Sequence, residues 1–286
     1  MSLKTKIYIL PNIITAFGLC CGLFVIFKMN MTPVGLVNQQ DLILTAILFI
    51  LAAFADLLDG AIARIVKAES DFGGLFDSLS DAITFGVAPS VIILKSLSLQ
   101  PGTDLSFMLT SAAMVFTVCG VLRLVRFNVA SIYCKNNQEL QLANKKNFTG
   151  LPIPAAAAGI ISSNLFLLSE DFQNNFILSE NLRMGIIFFE LLLLGYLMVS
   201  RWKFPSLKTL HIPIKTFEYV FLIALASVFL FYGFLYYFPI TFFLLAWGYI
   251  VIAWFLSFTR YLFGKYMPNT LEDFEPDEEE FDDHSN

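Results

Sequence analysis

Four aspartates and one arginine lie close together in a part of the chain that is otherwise strongly apolar. The stretch covers residues 56–81 and reads DLLDGAIARIVKAESDFGGLFDSLSD. Its residues with candidate chemistry are Asp56, Asp59, Arg64, Asp77 and Asp81. Carboxylates are costly in hydrocarbon, and like charges one helical turn apart repel each other, so this group requires a compensating cation. The stretch therefore predicts a metal site in a membrane enzyme.

Helical spacing places these carboxylates on two neighbouring helices. Asp56 and Asp59 are three residues apart, and Asp77 and Asp81 are four apart, so each pair shares one helix face. The short connection between the pairs predicts antiparallel helices whose carboxylates face one cleft. Carboxylate oxygens suit Mg²⁺ or Mn²⁺ better than zinc, and no His or Cys lies close in sequence to complete a softer site.

Glycines and the arginine add a second kind of information. Gly60, Gly73 and Gly74 remove side chains where the backbone must approach a neighbour or a bulky ligand. Arg64 keeps its charge and offers a planar fork suited to phosphate. A purely structural explanation has the carboxylates reaching water at helix ends and the glycines packing helices together. This structural explanation can account for any one of these residues. It accounts poorly for all of them together at these spacings.

The amino-acid composition indicates the environment that surrounds the chain. Of its 286 residues, 57% are hydrophobic and only 14% are charged, and the mean hydropathy is +0.71. These values indicate a polytopic membrane protein and exclude a soluble globular domain. The formal net charge of -5 is misleading, because nine of the 23 acidic residues lie in the final LEDFEPDEEEFDDHSN.

Eight apolar segments are close to the length that a helix needs to cross a bilayer. They cover about residues 8–27, 42–66, 72–97, 105–130, 152–169, 184–200, 217–237 and 240–263. The predicted fold is an all-α, polytopic membrane helical bundle of about eight transmembrane helices with a six-helix catalytic core. We expect a catalytic membrane domain over residues 1–215, two additional helices over 216–264, and an acidic, disordered cytoplasmic tail over 265–286.

The distribution of basic residues predicts the orientation in the membrane. With the amino terminus in the cytoplasm, only Lys28, Lys95 and Arg183 of the 18 Lys and Arg residues fall outside cytoplasmic segments and helix ends. This bias requires an even number of spans, so both termini and the aspartate cluster should face the cytoplasm. The lack of eukaryotic targeting features favours a bacterial inner membrane.

The spaced residues resemble the signature of the CDP-alcohol phosphatidyltransferase family. The pattern Asp56-x2-Asp59-Gly60-x2-Ala63-Arg64-x8-Gly73-x3-Asp77-x3-Asp81 matches every fixed position of that signature. The resemblance implies a helical membrane enzyme that transfers a phosphatidyl group from a CDP-linked lipid to an alcohol and releases CMP.

The resemblance also implies a role for each residue of the pattern. Asp56, Asp59 and Asp77 are implied to bind divalent metal, while Asp81 completes the metal site and is the proposed base. We expect two ions of Mg²⁺ or Mn²⁺, which would neutralise the pyrophosphate of the donor. The residues expected on the nucleotide and phosphate side are Gly60, Ala63, Arg64 and Gly73.

Flanking segments resemble the branch of this family that uses serine. They are LPNIIT at residues 10–15, DAITFGVAPS at 81–90, RLVRFNV at 123–129, FTGLPIPAAA at 148–157 and SRWKFPSLK at 200–208. The resemblance implies CDP-diacylglycerol as the donor and L-serine as the acceptor, and homodimers are common in the family. Gly18 departs from the pattern, since many relatives carry an asparagine there.

Acceptor selection depends on the charges of serine, which include a carboxylate. Its pocket should therefore contain a cation. The candidate acceptor-binding residues are Arg123, Arg126, Asn128, Thr149 and Gly150. The alternative is that both arginines anchor a helix at the membrane interface and that Gly150 belongs to a turn that starts the fifth helix. Thr84, one turn beyond Asp81, either lines the site of the lipid phosphate or has only a packing role.

Three other functions fit parts of the sequence. The same chemistry could use glycerol 3-phosphate, an inositol phosphate or choline, although choline favours an aromatic pocket over arginines. A proton-coupled transporter places acids near the middle of the bilayer and often has a repeated architecture, whereas these acids cluster at one face. A non-catalytic scaffold with a degenerate site is disfavoured by the intact signature.

Overall fold

Helices account for nearly all of the described structure. The computed structural model describes residues 3–33, 36–66, 70–97, 99, 102–136, 147–176, 178–200, 203–205 and 216–263. The acidic tail lies outside the described residues. In chain order the elements are α1 (Leu3–Met31), α2 (Gln39–Val66), α3 (Asp71–Asp81), a π-helical turn (Ala82–Val87), α4 (Ala88–Ser96), α5 (Asp104–Asn136), β1 (Asn147–Thr149), α6 (Ile153–Leu167), α7 (Glu170–Asn175), α8 (Glu180–Val199), β2 (Lys203–Pro205), α9 (Thr216–Tyr236) and α10 (Phe238–Phe263).

The prediction of an all-α membrane bundle is confirmed. Six of the helices in the described ranges are long and apolar enough to cross a membrane, and Ile153–Leu167 and Leu225–Tyr236 are shorter apolar helices. Together they account for the eight predicted segments. The structure adds one short antiparallel pair, in which Phe148 of β1 lies opposite Phe204 of β2. This pair joins the segment before α6 to the segment after α8.

The third predicted span is continuous but is not uniformly α-helical. Ser70 begins it as an N-cap whose side chain accepts a hydrogen bond from the Gly73 amide. After Asp81 the backbone widens into the π-helical turn, and the Ala88 N–H donates to the carbonyl of Ile83, five residues earlier. A π-helical turn inside a helix is rare and is often found at functional sites. The hydropathy pattern predicted the helix but not this turn.

The short helix α6 lies at the centre of the bundle. Ile153, Ala156, Ala157 and Ile160 are fully buried, and α6 contacts α2, α4, α8 and α10. Its small residues allow close approach, since a Cβ added at Gly159 would lie 2.8 Å from the side chain of Ile250 on α10. A helix that is apolar all round belongs in such an interior position.

Polar side chains also connect the helices. The Asn164 amide on α6 donates to the Ser96 hydroxyl at the end of α4 at 2.9 Å, and the Trp247 indole on α10 donates to Ser163 at 2.7 Å. Small hydroxyl and amide groups are common partners between membrane helices, because lipid offers no replacement for these hydrogen bonds. They attach α4 and α10 to the central helix.

The outer surface of the bundle is apolar. Exposed phenylalanines occur on most of the long helices, and examples are Phe54, Phe107, Phe189, Phe229 and Phe255. In water such an exposed surface would cause aggregation, whereas lipid chains solvate it without cost. The exposed phenylalanines agree with the membrane class that the composition predicted.

Candidate active site

Residues from α1, α2, α3 and the π-helical turn enclose one cleft. The packing of α1 against α2, α3 and the turn brings these elements together. The residues that line the cleft are Thr15, Gly18, Ala52, Asp56, Asp59, Asp77, Ser80, Asp81, Thr84 and Phe85. All four aspartates singled out in the sequence therefore meet in one place, although the first and the last are 25 positions apart in the chain.

Three of the aspartates form a closer group. Asp56, Asp59 and Asp77 each place a carboxylate oxygen within 4.8 Å of the other two. Asp59 is buried, whereas Asp56 and Asp77 are half-buried. Asp81 lies outside this group of three, although it lines the same cleft.

Helix α1 fixes the position of the most buried carboxylate. The hydroxyl of Thr15 donates a hydrogen bond to Asp59 Oδ2 and also lies 3.1 Å from the carbonyl oxygen of Pro11. The Ser80 hydroxyl of α3 lies 3.5 Å from the backbone carbonyl oxygen of Thr15. One residue of α1 therefore contacts both helices that carry the aspartates.

The three grouped carboxylates fit a hard divalent cation. Asp77 Oδ1 is fully enclosed and has no hydrogen-bond partner among the described residues. An ionised carboxylate accepts hydrogen bonds but cannot donate them, so three such groups at this distance cannot satisfy one another. A cation bound by oxygen ligands would satisfy Asp77 and offset the repulsion, and an all-oxygen set favours Mg²⁺ or Mn²⁺.

Asp81 differs from the group of three in its neighbours. The guanidinium of Arg123 on α5 lies near enough for the two opposite charges to interact. Arg123 Nε is enclosed and makes no hydrogen bond within the described part of the chain. Tyr249 of α10 also lies near this arginine. A guanidinium cation on α5 thus interacts electrostatically with Asp81, the one aspartate of the cleft that lies outside the group of three.

The glycines of the pattern occupy two different environments. A Cβ added at Gly73 would lie 3.1 Å from Asn12 Oδ1 and from Ser70 Oγ, so helix packing restricts that position. At Gly60 and Gly74, in contrast, no described atom lies within 4 Å of an added Cβ. Among these three positions, packing against described neighbours therefore explains the need for glycine only at Gly73. Space for a ligand remains a prediction for Gly60.

Arg64 lies at the exposed end of α2. Its Nε donates to the carbonyl of Gly60 at 2.9 Å, one turn earlier on the same helix, and Ala63 beside it is half-buried. The Arg64 guanidinium is therefore held near the carbonyl of Gly60. The structure does not bring Arg64 into the lining of the cleft itself.

Arg126 and Gly150 meet at the carboxyl end of α8. Arg126 Nη1 donates to the carbonyl of Val199 at 3.0 Å. Gly150 has φ +81°, and a Cβ added there would clash with the carbonyl oxygen of Met198. The Leu151 amide donates to the Leu197 carbonyl at 3.0 Å. This junction satisfies carbonyls that the end of a helix leaves without partners.

Asn128 lies beside the aspartate helix. Its Nδ2 donates to the Ser78 hydroxyl at 2.9 Å, and Ser78 is the residue that follows Asp77. This contact joins α5 to α3. The side chain of Thr149, another candidate acceptor-binding residue, lies outside the described part of the structure.

Several residues of the cleft were not assigned a role from the sequence. Thr15 and Ser80 look like ordinary helix residues in the sequence. The bond from Thr15 to Asp59 and the contact of Ser80 with the Thr15 carbonyl both depend on how α1 packs. Gly18, the position that departs from the family pattern, also lines the cleft, and an added Cβ there would make only ordinary contacts with Ala52 and Ala55. Position on the face of α1 that includes Thr15 is the signal that could have identified Gly18.

Comparison with known proteins agrees with the signature. The family described as CDP-alcohol phosphatidyltransferase matches residues 8–194. A CDP-diacylglycerol–serine O-phosphatidyltransferase of Helicobacter pylori is 30% identical over 223 residues, which cover 78% of this chain and 82% of that protein.

Two further relatives carry the same name. One from Methanocaldococcus jannaschii is 30% identical over 224 residues, which cover 77% of this chain and 83% of the relative. One from Bacillus subtilis is 32% identical over 200 residues, which cover 70% of this chain and 91% of the relative. The similarity thus spans most of each protein in bacteria and in an archaeon.

Proposed function

The chain belongs to the CDP-alcohol phosphatidyltransferase family, and we propose that it transfers the phosphatidyl group of CDP-diacylglycerol to the hydroxyl of L-serine. The products are phosphatidylserine and CMP. The observation that carries the proposal is the convergence of the four signature aspartates in one cleft. The choice of serine is supported by the names of the relatives and by the cationic Arg123 beside Asp81.

In this proposal Asp56, Asp59 and Asp77 hold divalent cations, and the enclosed Oδ1 of Asp77 is one of the ligands. When bound, the cations would neutralise the diphosphate of the donor and stabilise the departing CMP. Thr15 orients Asp59 through its hydrogen bond, as second-layer contacts commonly do around metal ligands. The proposal includes two ions at this site, which are Mg²⁺ or Mn²⁺.

Asp81 is proposed as the general base. A serine hydroxyl is a poor nucleophile at neutral pH, and removal of its proton during attack makes it a stronger one. The proton moves to the Asp81 carboxylate, a bond forms between the serine oxygen and the lipid-side phosphorus, and the bond from that phosphorus to the oxygen of CMP breaks. The exclusion of Asp81 from the group of three supports a role that is separate from cation binding.

The nucleotide is proposed to bind at the exposed end of α2. Gly60 leaves open space and Ala63 carries only a methyl group, so a cytidine ring or ribose can approach the helix there. Arg64 is held on this side by its bond to the Gly60 carbonyl, where its remaining donors can reach a phosphate. Gly73 keeps the opposite wall of the site close to α1.

Serine is proposed to bind between the cleft and α5. Arg123 has an unused Nε within the described structure and can pair with the serine carboxylate. Asn128 lies near the same end of α5 and adds a polar amide. Arg126 and Gly150 are proposed to shape the pocket indirectly, because their contacts go to the end of α8. Thr149 remains a candidate on position alone.

The chain is an integral membrane protein by the number of long apolar helices among its described residues. We propose that the cleft and both termini face the cytoplasm, since this orientation leaves only Lys28, Lys95 and Arg183 on the other side. A bacterial inner membrane fits the relatives from two bacteria. The donor would then keep its acyl chains in lipid while its head group enters the cleft.

A comparison of acceptors tests the proposed function. Purified protein is incubated with CDP-diacylglycerol and Mg²⁺ or Mn²⁺, and CMP release is measured with L-serine, glycerol 3-phosphate, inositol phosphate or choline. We expect CMP release that depends on serine. CMP release with a different acceptor would overturn the assignment of serine. No CMP release with any acceptor would overturn the proposed transferase activity.

A further inference from the structure

The hydroxyl group of Thr84 is buried at the cleft and has no hydrogen-bond partner among the described residues. Thr84 is 3% exposed, and its Oγ1 has no hydrogen-bond partner in the described ranges of the chain. A buried hydroxyl normally finds a partner, because leaving it unpaired is costly. An unpaired hydroxyl that lines a cleft therefore points to a bound molecule that completes it.

The local backbone explains why this hydroxyl is unpaired. Threonine and serine in helices commonly donate to the carbonyl three or four residues earlier, as Thr117 does to Ala113 and Ser90 does to Gly86. Thr84 lies inside the π-helical turn Ala82–Val87, where backbone hydrogen bonds span five residues. Its hydroxyl makes no such backward bond and has no partner among the described residues.

Packing from α1 keeps Thr84 in this position. A Cβ added at Gly22 would lie 2.5 Å from Thr84 Oγ1 and 2.9 Å from Thr84 Cα, so Thr84 packs tightly against α1. Thr84 lines both the aspartate cleft and an adjoining apolar pocket. The other residues of that pocket are Cys21, Gly22, Val25, Phe49, Ala88 and Ile92. Thr84 thus marks the inner floor of the cleft, where polar lining gives way to apolar lining.

The cleft needs a hydrogen-bond donor of this kind. Four of its lining side chains are carboxylates, which accept only when ionised. The other two hydroxyls of the lining are engaged, because Thr15 donates to Asp59 and Ser80 donates to the Thr15 carbonyl. Thr84 is the lining hydroxyl that stays free within the described structure. A phosphate brings anionic oxygens that require such a donor.

We propose that the Thr84 hydroxyl donates a hydrogen bond to an oxygen of the lipid-side phosphate of the bound donor. This inference rests on the proposed function, because it takes a CDP-linked lipid as the occupant of the cleft. Negative charge that builds on this phosphate during attack would strengthen the bond.

Three variants test the role of Thr84. Thr84→Val keeps the shape and removes the hydroxyl, Thr84→Ser keeps the hydroxyl, and Thr45→Val is the matched control. Thr45 is fully buried on α2, outside the cleft, and its hydroxyl donates to the Leu42 carbonyl. The measurements are kcat/KM for CDP-diacylglycerol, KM for serine, and the unfolding temperature with and without CDP-diacylglycerol.

Thr84→Val should lower kcat/KM for the donor by about 10- to 100-fold, which corresponds to about 1.4–2.8 kcal/mol. KM for serine should stay unchanged, and Thr84→Ser should stay within about threefold of wild type. The unfolding temperature without donor should not fall, because the removed hydroxyl has no described partner. The rise in unfolding temperature that the donor causes in wild type should become smaller.

Several results would overturn the role of Thr84. They are a Thr84→Val protein as active as wild type, a Thr84→Ser protein as impaired as Thr84→Val, an increase in KM for serine alone, and a Thr84→Val protein that unfolds at a clearly lower temperature. A wild-type protein that neither binds CDP-diacylglycerol nor releases CMP would instead reject the proposed function itself.

Discussion

Four carboxylates of the same type have different neighbours in this cleft. Asp59 is buried and receives the Thr15 hydroxyl, while Asp77 has an enclosed oxygen that no described group pairs with. Asp81 lies outside the close group and next to Arg123. Neighbours of different kinds give identical side chains different chemistry. The separate roles of cation ligand and base can therefore be tested by separate substitutions.

Asp81→Asn should remove the base and leave the cation site. We expect kcat for CMP release to fall by about 10²- to 10⁴-fold, since asparagine cannot take the serine proton. Mn²⁺ affinity, measured by electron paramagnetic resonance, should stay near that of wild type because Asp81 is not in the group of three. Asp71→Asn, an exposed position on the same helix, is the control. Equal loss of Mn²⁺ binding would make Asp81 a ligand, and unchanged kcat would remove it as the base.

Thr15→Val tests the contact that orients Asp59. The substitution keeps the shape of the side chain and deletes the hydrogen bond to Oδ2. Loss of a contact behind a metal ligand typically weakens metal affinity by about 10- to 100-fold, so the Mn²⁺ concentration for half-maximal activity should rise by that amount. Thr15→Ser, which retains the hydroxyl, should behave as wild type. No change in the Mn²⁺ requirement of Thr15→Val would contradict the role of α1.

At the scale of elements, one junction connects the start of α6, the carboxyl end of α8 and a side chain of α5. Gly150 and Leu151 precede α6, Arg126 belongs to α5, and all of them contact the last carbonyls of α8. A cation near the carboxyl end of a helix is favourable because that end carries partial negative charge. The junction sets how α5 approaches the cleft, and Arg123 lies one turn before Arg126.

Gly150→Ala should destabilise the protein more than Gly102→Ala. Both glycines have positive φ, +81° at Gly150 and +84° at Gly102, so alanine is strained at either position by roughly 1–2 kcal/mol. Only at Gly150 would the added methyl group also meet the carbonyl of Met198, whereas no described atom lies within 4 Å at Gly102. Thermal unfolding in detergent measures the difference. Equal shifts would show that the contact with α8 is unimportant.

At the scale of the whole molecule, the sequence predicted the helices and the shared cleft. Apolar length predicted the spans to within a few residues in most cases, because the bilayer fixes how long a helix must be. Spacing of three and four residues correctly placed Asp56 with Asp59 and Asp77 with Asp81. The catalytic domain over residues 1–215 remains a prediction, and the family match over residues 8–194 lies within it.

Features that depend on contacts between distant segments could not be predicted. The π-helical turn packs against α1 through the close contact of Thr84 with Gly22, and these two residues are 62 positions apart in the chain. The bond from Arg126 to the Val199 carbonyl likewise joins residues 73 positions apart. Helix periodicity gives the face of a residue but not the partner that the face meets. The partner depends on the packing of the whole bundle.

The most direct test of the central claim is the metal dependence of phosphatidyl transfer in wild type and Asp77→Asn. Protein stripped of metal is given CDP-diacylglycerol and L-serine, Mn²⁺ is added in steps, and CMP and phosphatidylserine are both quantified. Wild type should form no product without metal and equal amounts of the two products with it, and Asp77→Asn should be at least about 100-fold slower at the same Mn²⁺ concentration. Product formation without metal, or an Asp77→Asn protein as active as wild type, would contradict the account.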